Sequence, residues 1–518
     1  MKKTFLLSCL MLAAMPVMAA YTGHVYVDKN KNGVFDQSEK PLAGIKVSDG
    51  LNVVETAADG SFTLPGHERE RFIFITTPSG YKTFNRHYHK IEKKQSGYDF
   101  GLIPYSGQIR KDGSHRYIHI ADTEIFNTEN HADWVNNVRD YARNEQAAFI
   151  IHTGDICYEK GLKAHIKLMN TENMDCPVFY CIGNHDLVKG KYGEELFESI
   201  YGPVYYSFDA GNVHYVVTPM PGGDHAPGYT SDDVCRWLKN DLAHIRPGTS
   251  VVVFNHDLLT YEDTFIFKSK NAGSINLNEY NLKAWVYGHW HINYMKKQGD
   301  VYSVCTSSLD KGGIDHSTTA FRVMHVDSKG DFTSELRYTY LDKNICIASP
   351  AGVMASGVLP VAVNVYSSVS PVREVLYTCL ADGKPVLKNK RLLQSTDWSW
   401  NGELPLSHKY VGKELTLRVT ARFNNGEIAE AESNFICRTE KTVPLFSADW
   451  DNLSGNAKHS APVSAPLNLP LQLAWTNNVG ANLYMTSPLI HKGKVIVASV
   501  DEDCLLYTSP SPRDGATS

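Results

Sequence analysis

Five short segments carry the residue types that could do chemistry. They are Asp122-Thr123-Glu124, Gly154-Asp155-Ile156-Cys157-Tyr158, Gly183-Asn184-His185-Asp186, Asn255-His256-Asp257 and Gly288-His289-Trp290-His291. Asp, Glu, Asn and His offer hard oxygen and imidazole donors, and no cysteine recurs at ligand spacing. Such a set suits Mn, Zn or Fe better than a thiolate-bound cluster. Two neighbouring ions would need a bridging carboxylate. A pair held that way acidifies a water and clamps both oxygens of an in-line displacement. His289 and His291 alternate on an extended segment and so face the same side. Gly154, Gly183 and Gly288 would let the backbone turn sharply beside the donors.

These segments need a scaffold that brings them together. Each follows a short apolar run: 117–120, 148–152, 178–182, 250–254 and 284–287. Such runs read as buried strands, and the patterns at 133–145 and 232–244 read as amphipathic helices between them. Strands alternating with helices predict an α/β layered domain over residues 110–345. In such sheets ligands gather beyond the carboxyl ends of the strands, so all five segments are expected in one crevice. Residues 21–105 show short alternating runs broken by Gly, Asp and Pro, which predict a small β-sandwich. Residues 346–440 return to β alternation, and 441–470 read as a linker rich in Ser, Pro and Asn.

The chain has 518 residues, 51 Lys+Arg against 56 Asp+Glu, and 42% hydrophobic residues. That composition excludes wholesale disorder. At roughly 100–200 residues per domain it predicts several domains. The near-neutral balance gives no electrostatic footprint for nucleic acid. Residues 1–20 combine Lys2 and Lys3, a short apolar stretch and small residues at Ala19-Ala20. They read as a secretory signal peptide, with no spanning helix after it, so a periplasmic or extracellular location is expected and a lipid anchor at Cys9 is the lesser reading. Export would permit disulfides, whose pairing the spacing does not give. Residues 504–518 resemble translated adapter sequence rather than natural protein.

The ordered set of segments resembles the calcineurin-like metallophosphoesterase superfamily, whose pattern is D-x-H, GD, GNH[D/E], H, GHxH. The resemblance spans about residues 115–310, and the flanking β modules look like those of secreted bacterial members. It implies a fold of an α/β phosphoesterase sandwich flanked by small β-sandwich domains. It also implies two transition-metal ions. Asp122 and His291 would hold the first, Asp155 would bridge, and Asn184, His256 and His289 would hold the second. His185 would protonate the leaving group or contact the phosphate, and Asp186 would orient it. The implied activity is hydrolysis of phosphomonoesters or phosphodiesters by attack of a metal-bridging hydroxide. The substrate would be a phosphorylated small molecule, lipid or polymer. Cleavage of a pyrophosphate or nucleotide sugar uses the same metals, and an inactive phosphoesterase-fold scaffold of the cell envelope is the alternative. Glu124 departs from the pattern, which has His there, yet it too can coordinate. Tyr158 lies where purple acid phosphatases place an iron-binding tyrosine.

Two further segments stand apart. Residues 28–39 fit the calcium-loop template. Asp28, Asn30, Asn32, Asp36 and Glu39 would offer side-chain oxygens, Val34 its carbonyl, and Gly33 the bend. The loop follows a strand, which makes it similar to calcium-stapled β repeats of surface adhesins. Residues 471–503 look like one blade of a quinoprotein-type β-propeller, cut short. A single blade cannot bury its own faces.

Overall fold

The computed structural model describes residues 21–95, 97–341, 343–439, 450, 452, 488–491 and 494–497. The signal-peptide reading, most of the linker and the adapter-like residues lie outside the described residues.

The N-terminal module is two sheets with an apolar core between them. Strand Tyr21–Val27 pairs antiparallel with Lys40–Pro41 and Ser61–Leu64 and parallel with Phe100–Pro104, which continues to Tyr81–Thr83. The other sheet runs Val53–Glu55, Lys46–Ser48, Phe72–Ile75 and Tyr88–Lys90. Strand Phe72–Ile75 is buried at every position. Successive side chains of a strand point to opposite faces, so a strand without alternation must be covered on both. Ile73 and Ile75 fill the module's own core, while Phe72 and Phe74 join the core of the next domain. Arg71 reinforces this junction by pairing with Glu194 at 2.7 Å and Glu198 at 3.0 Å.

The central domain stacks two sheets face to face. The first runs Val178–Tyr180, Ile150–His152, His115–Ile120, Ala320–Val326 and Phe332–Tyr338, with the first three strands parallel. The second runs Tyr206–Ala210, Val213–Val217, Ser250–Phe254, Leu282–Tyr287, Val301–Cys305 and Tyr294–Gln298, with a parallel centre. Tyr117, Phe149, Phe208, Tyr215 and Phe254 interlock between the sheets, for example Phe149 against Phe208 at 4.9 Å edge to face. On the outer face of the first sheet, Ile118, Ile120 and Ile150 meet Trp134, Val138 and Tyr141 of helix Ala132–Asn144. Helix Ser231–Leu242 covers the second sheet with Trp237 and Leu238. It starts at a capping box, in which Thr230 and Asp233 satisfy each other's backbone N–H groups. The elements expected around the five segments thus form, with boundaries moved by a few residues.

Residues 344–438 make a second β-sandwich around Val361, Val363, Val375, Trp400, Leu417 and Val419. It docks on the central domain through Asn144 Nδ2 on the Val369 carbonyl, 2.8 Å, and Tyr338 N on the Tyr366 hydroxyl, 3.0 Å. The protein is therefore a multidomain α/β and β molecule. The expected propeller blade is described only as a hairpin of Leu489–His491 with Lys494–Ile496, and no propeller or closed barrel occurs among the described residues. The eight cysteines among the described residues are free thiols.

A buried charge triad ties the edge of the second sheet to its helix. His214 places Nδ1 2.6 Å from Asp209 Oδ1 and Nε2 2.8 Å from Asp241 Oδ2, so both nitrogens donate. Burial opposes charge on this ring, yet the Asp241 and Asp209 carboxylates outweigh it and push its pKa up to about 9. A folded-state pKa above the ordinary 6.5 stabilises the fold fully below pH 6.5, and the contribution is lost as pH rises through about 9. His214→Phe leaves buried Asp241 with only the Ser207 hydroxyl among the described residues and Asp209 with Lys46, and should cost about 3 kcal/mol at pH 6. The stability gap between the two proteins, measured by denaturant titration, should narrow between pH 7 and 10. A gap that stays constant over that range contradicts the charged triad.

Candidate metal centre

The five segments leave the carboxyl ends of strands from both sheets and meet over the seam between them. Asp122 follows His115–Ile120, Asp155 follows Ile150–His152, and Asn184 and His185 follow Val178–Tyr180. His256 follows Ser250–Phe254, and His289 and His291 follow Leu282–Tyr287. Donor atoms of Asp155, His256 and His289 all lie within 4.8 Å of one another, and so do those of Asp122, Asp155 and His291. Two groups of three thus share Asp155. Asn184 joins the first group, its Oδ1 3.1 Å from His256 Nε2, which is also 3.2 Å from Asp155 Oδ2.

The rings are oriented from beneath. His256 Nδ1 donates to the Thr153 carbonyl at 2.7 Å, which turns Nε2 toward the cluster. The Thr153 hydroxyl rests 2.8 Å from His119 Nε2, and His119 Nδ1 lies 2.9 Å from Thr306 Oγ1. Both oxygens of Asp122 accept from the His289 backbone N–H, at 3.1 and 3.0 Å. The backbone N–H of His185 donates to Asp155 Oδ1 at 3.0 Å.

Local geometry is strained where the donors sit. Asp122, Glu124, Asp155, His289 and His291 all have positive φ, between 44° and 66°. Each such non-glycine residue costs of order 1–3 kcal/mol and persists only where the surroundings over-determine it. The glycines serve mainly by their lack of a side chain. A Cβ on Gly183 would sit 2.2 Å from Asp155 Oδ1, and one on Gly288 would sit 2.8 Å from Asp122 Oδ2.

The donor set fits cations. Asp122, Asp155 and Asp186 are all essentially buried. Burial holds Asp122 well above the usual carboxylate range, and burial with the nearby Asp155 pushes Asp186 up to about 6. Burial also works against charge on His256, but Asp155 and Asp122 outweigh it and raise it to about 9. A proton on that ring neutralises part of the carboxylate excess, the task a metal ion would take over. Burial, together with neighbouring His256, keeps His289 below the usual imidazole range, hence neutral as a ligand must be.

Several predicted roles change. Asp186 does not orient His185. Its carboxylate accepts from the backbone N–H groups of Asp155 at 3.0 Å, Cys157 at 2.8 Å and Gly183 at 2.9 Å, and so staples two ligand loops together. The partner of the His185 ring is Asp224, with Oδ2 2.9 Å from Nδ1. Glu124 lies at the rim. Its Oε1 is 3.5 Å from His291 Nε2 and its Oε2 is 2.6 Å from Lys311 Nζ. Tyr158 is 44% exposed and places its ring 5.4 Å from His185 and in a stack on Phe126. Its hydroxyl has no hydrogen-bond partner among the described residues. In the N-terminal loop, Asp28 and Glu39 are buried. Asp28 accepts from Asn32 N and Gly33 N, Glu39 accepts from Lys29 N and Asp36 N, and Asn30 and Asn32 donate to Asp36.

Sequence reasoning missed Asp224, Lys311 and Cys157. Cys157 brings its sulfur within 4.8 Å of donor oxygens of Glu124 and Asp155, but burial and the Asp155 charge push its thiol far up, so it stays protonated. Asp224 and Lys311 are lone charged residues in irregular loops and carry no spacing signal.

Comparison with known families agrees with this geometry. Residues 115–293 match the calcineurin-like phosphoesterase family, and residues 29–104 match the N-terminal domain of calcineurin-like phosphoesterases. No curated protein matches the chain. Among solved structures, GAP50, the anchor in the inner membrane complex of Plasmodium, is 14% identical, covering 44% of this chain and 90% of its own, with TM-score 0.29. Vacuolar protein sorting 29 of Cryptosporidium parvum is 10% identical, covering 57% and 99%, with TM-score 0.24. A conserved protein of Streptococcus pneumoniae, described as a predicted phosphoesterase, is 12% identical, covering 44% and 98%, with TM-score 0.21. The family is one of metal-dependent phosphoesterases with a two-metal centre, which is what the paired donor groups around Asp155 suit. Through the domain at 115–293 and the module before it, the chain belongs to the calcineurin-like metallophosphoesterase superfamily.

Proposed function

We propose that the protein is an exported hydrolase of phosphoric esters that works with two transition-metal ions. The observation that carries this reading is the sharing of Asp155 by two donor groups, with His185 one backbone hydrogen bond away. Asp122 and His291 would hold one ion, Asn184, His256 and His289 the other, and Asp155 both. When bound, the ions supply positive charge for the phosphoryl oxygens and acidify a water. The chain's own residues do the rest. Asp186 holds the Asp155 and Gly183 loops at fixed separation. Thr153 fixes the His256 ring. His185 projects from a segment pinned at both ends, its N–H on Asp155 and its carbonyl accepting from Tyr158 N at 3.1 Å. From there it donates a proton to the leaving oxygen. Phe126 and Tyr158 make an aromatic wall beside His185, and we assign Tyr158 to that wall and not to a metal. Lys311, paired to Glu124, offsets the negative charge that Glu124 adds.

Purified protein loaded with Mn, Zn or Fe should hydrolyse p-nitrophenyl phosphate or its diester analogue. Asp155→Ala should lose metal on gel filtration, and turnover should fall by about a thousandfold or more. Turnover unaffected by Asp155→Ala, with metal retained, contradicts the assignment.

The loop at 28–39 is proposed as a structural calcium site. Asp28, Asp36 and Glu39 bring three carboxylates to one loop, with Asn30 and Asn32 beside Asp36. Binding to the folded state alone stabilises it by RT ln(1 + [L]/Kd), about 2.7 kcal/mol at a hundredfold excess over Kd. Calcium should therefore raise the melting temperature of the full chain by several degrees, and Asp28→Ala should abolish the rise. A melt indifferent to calcium and chelator removes the site.

A further inference from the structure

We propose that Asp224 is a positioning residue for His185: it accepts from Nδ1–H, fixes the ring and reserves Nε2 for the leaving oxygen. The inference rests on the reading of His185 as proton donor and adds the group that aims it. Asp224 Oδ2 lies 2.9 Å from His185 Nδ1. Nε2 has no protein partner among the described residues. The side chain of His185 is about a third exposed, at 35%, so packing alone does not fix its ring.

The loop that supplies Asp224 is built against the segment it serves. A Cβ on Gly223 would stand 2.3 Å from the Asn184 carbonyl oxygen and 2.7 Å from Asn184 Cα, so only glycine permits this approach. Asp224 N donates to the same Asn184 carbonyl at 3.1 Å. On the far side, Gly193 N donates to the Ala226 carbonyl at 2.8 Å and Gly228 N donates to the buried Glu194 carboxylate at 2.9 Å. On the near side, the Tyr229 hydroxyl donates to the Met220 carbonyl at 2.6 Å. Asp224 is thus carried by a pinned loop. Asp186, the carboxylate next to His185 in sequence, is committed to three backbone N–H groups.

In the reaction, a water oxygen forms the new bond to phosphorus and the ester P–O bond breaks. The leaving oxygen keeps that bond's electron pair and takes a proton from Nε2 of the doubly protonated His185 ring, whose Nδ1–H stays on Asp224. The attacking water gives up its proton to solvent, from which Nε2 is protonated again. A misaimed ring affects this step in proportion to how badly the leaving group needs the proton.

Asp224→Ala and Asp224→Asn test the idea against two substrates and one spectrum. With glycerol 2-phosphate, a poor leaving group, kcat of Asp224→Ala should fall by about 10- to 100-fold, the range expected for disturbed general-acid catalysis. With p-nitrophenyl phosphate the fall should be under about threefold, because that leaving group scarcely needs a proton. Metal content should stay as in the parent, and Asp224→Asn, which keeps an acceptor oxygen, should recover much of the loss. In 15N-histidine spectra, assigned with His185→Asn, Nδ1 of the parent's His185 should stay protonated whether or not Nε2 is, and in Asp224→Ala the singly protonated ring should divide its proton between the two nitrogens. Equal losses on both esters, no loss on either, or an unprotonated Nδ1 in the parent overturns the proposal. Failure of the parent to hydrolyse either ester, with the tautomer result as expected, instead overturns the hydrolase reading beneath it.

Discussion

Three carboxylates, Asp122, Asp155 and Asp186, are buried together with too little positive charge of the protein's own to match them. Like charges about 4–5 Å apart repel by on the order of 3–4 kcal/mol at an effective dielectric near 20. One backbone network takes up Asp186, and His256 takes up part of Asp155. What is left over is an anionic, imidazole-lined hollow. The surrounding architecture makes sense as the means of holding that hollow open in one geometry. Rigid parallel strands deliver the ligands, and a layer of aromatic side chains beneath them resists collapse.

The strain at the ligands follows from the same constraint. A donor at the end of a strand must swing back over the sheet edge, and positive φ at Asp122, Asp155, His289 and His291 accomplishes that swing. Asp tolerates the left-handed region better than most residues. His289 is held there by its backbone N–H on Asp122 and by close packing at Gly288, and His291 by its carbonyl, which accepts from Ile314 N at 3.0 Å. Strain of this kind is stored where function needs it and is offset by the large two-sheet core. The flanking modules add to the rigidity. Phe72–Ile75, apolar on both faces, joins the N-terminal module to the central core.

Much of this was legible in the sequence because the metal chemistry imposes spacing. Gly183-Asn184-His185-Asp186 and Gly288-His289-Trp290-His291 each follow an apolar run, and that pattern suffices to expect the fold and to point to the donors that the fold brings together. What escaped was whatever depends on contacts across long sequence separations. Asp224 meets His185 from 39 residues away, and Lys311 meets Glu124 from 187. Neither carries a pattern, since any loop can present one charge. Asp186 misled for a different reason: adjacency in sequence suggested contact with His185, whereas neighbouring side chains point apart and the buried carboxylate found backbone N–H groups. The glycines were expected to turn the chain, yet at Gly183 and Gly288 what matters is room for a neighbouring carboxylate.

The central claim is that one carboxylate, Asp155, belongs to two cations at once. Electron paramagnetic resonance of the manganese-loaded protein tests this most directly, because two Mn(II) ions bridged about 3.5–4 Å apart couple their spins. The expected spectrum is that of an exchange-coupled pair, collapsing to isolated ions or to nothing when Asp155 is replaced by Ala. A single uncoupled Mn(II) signal at full loading would contradict the account.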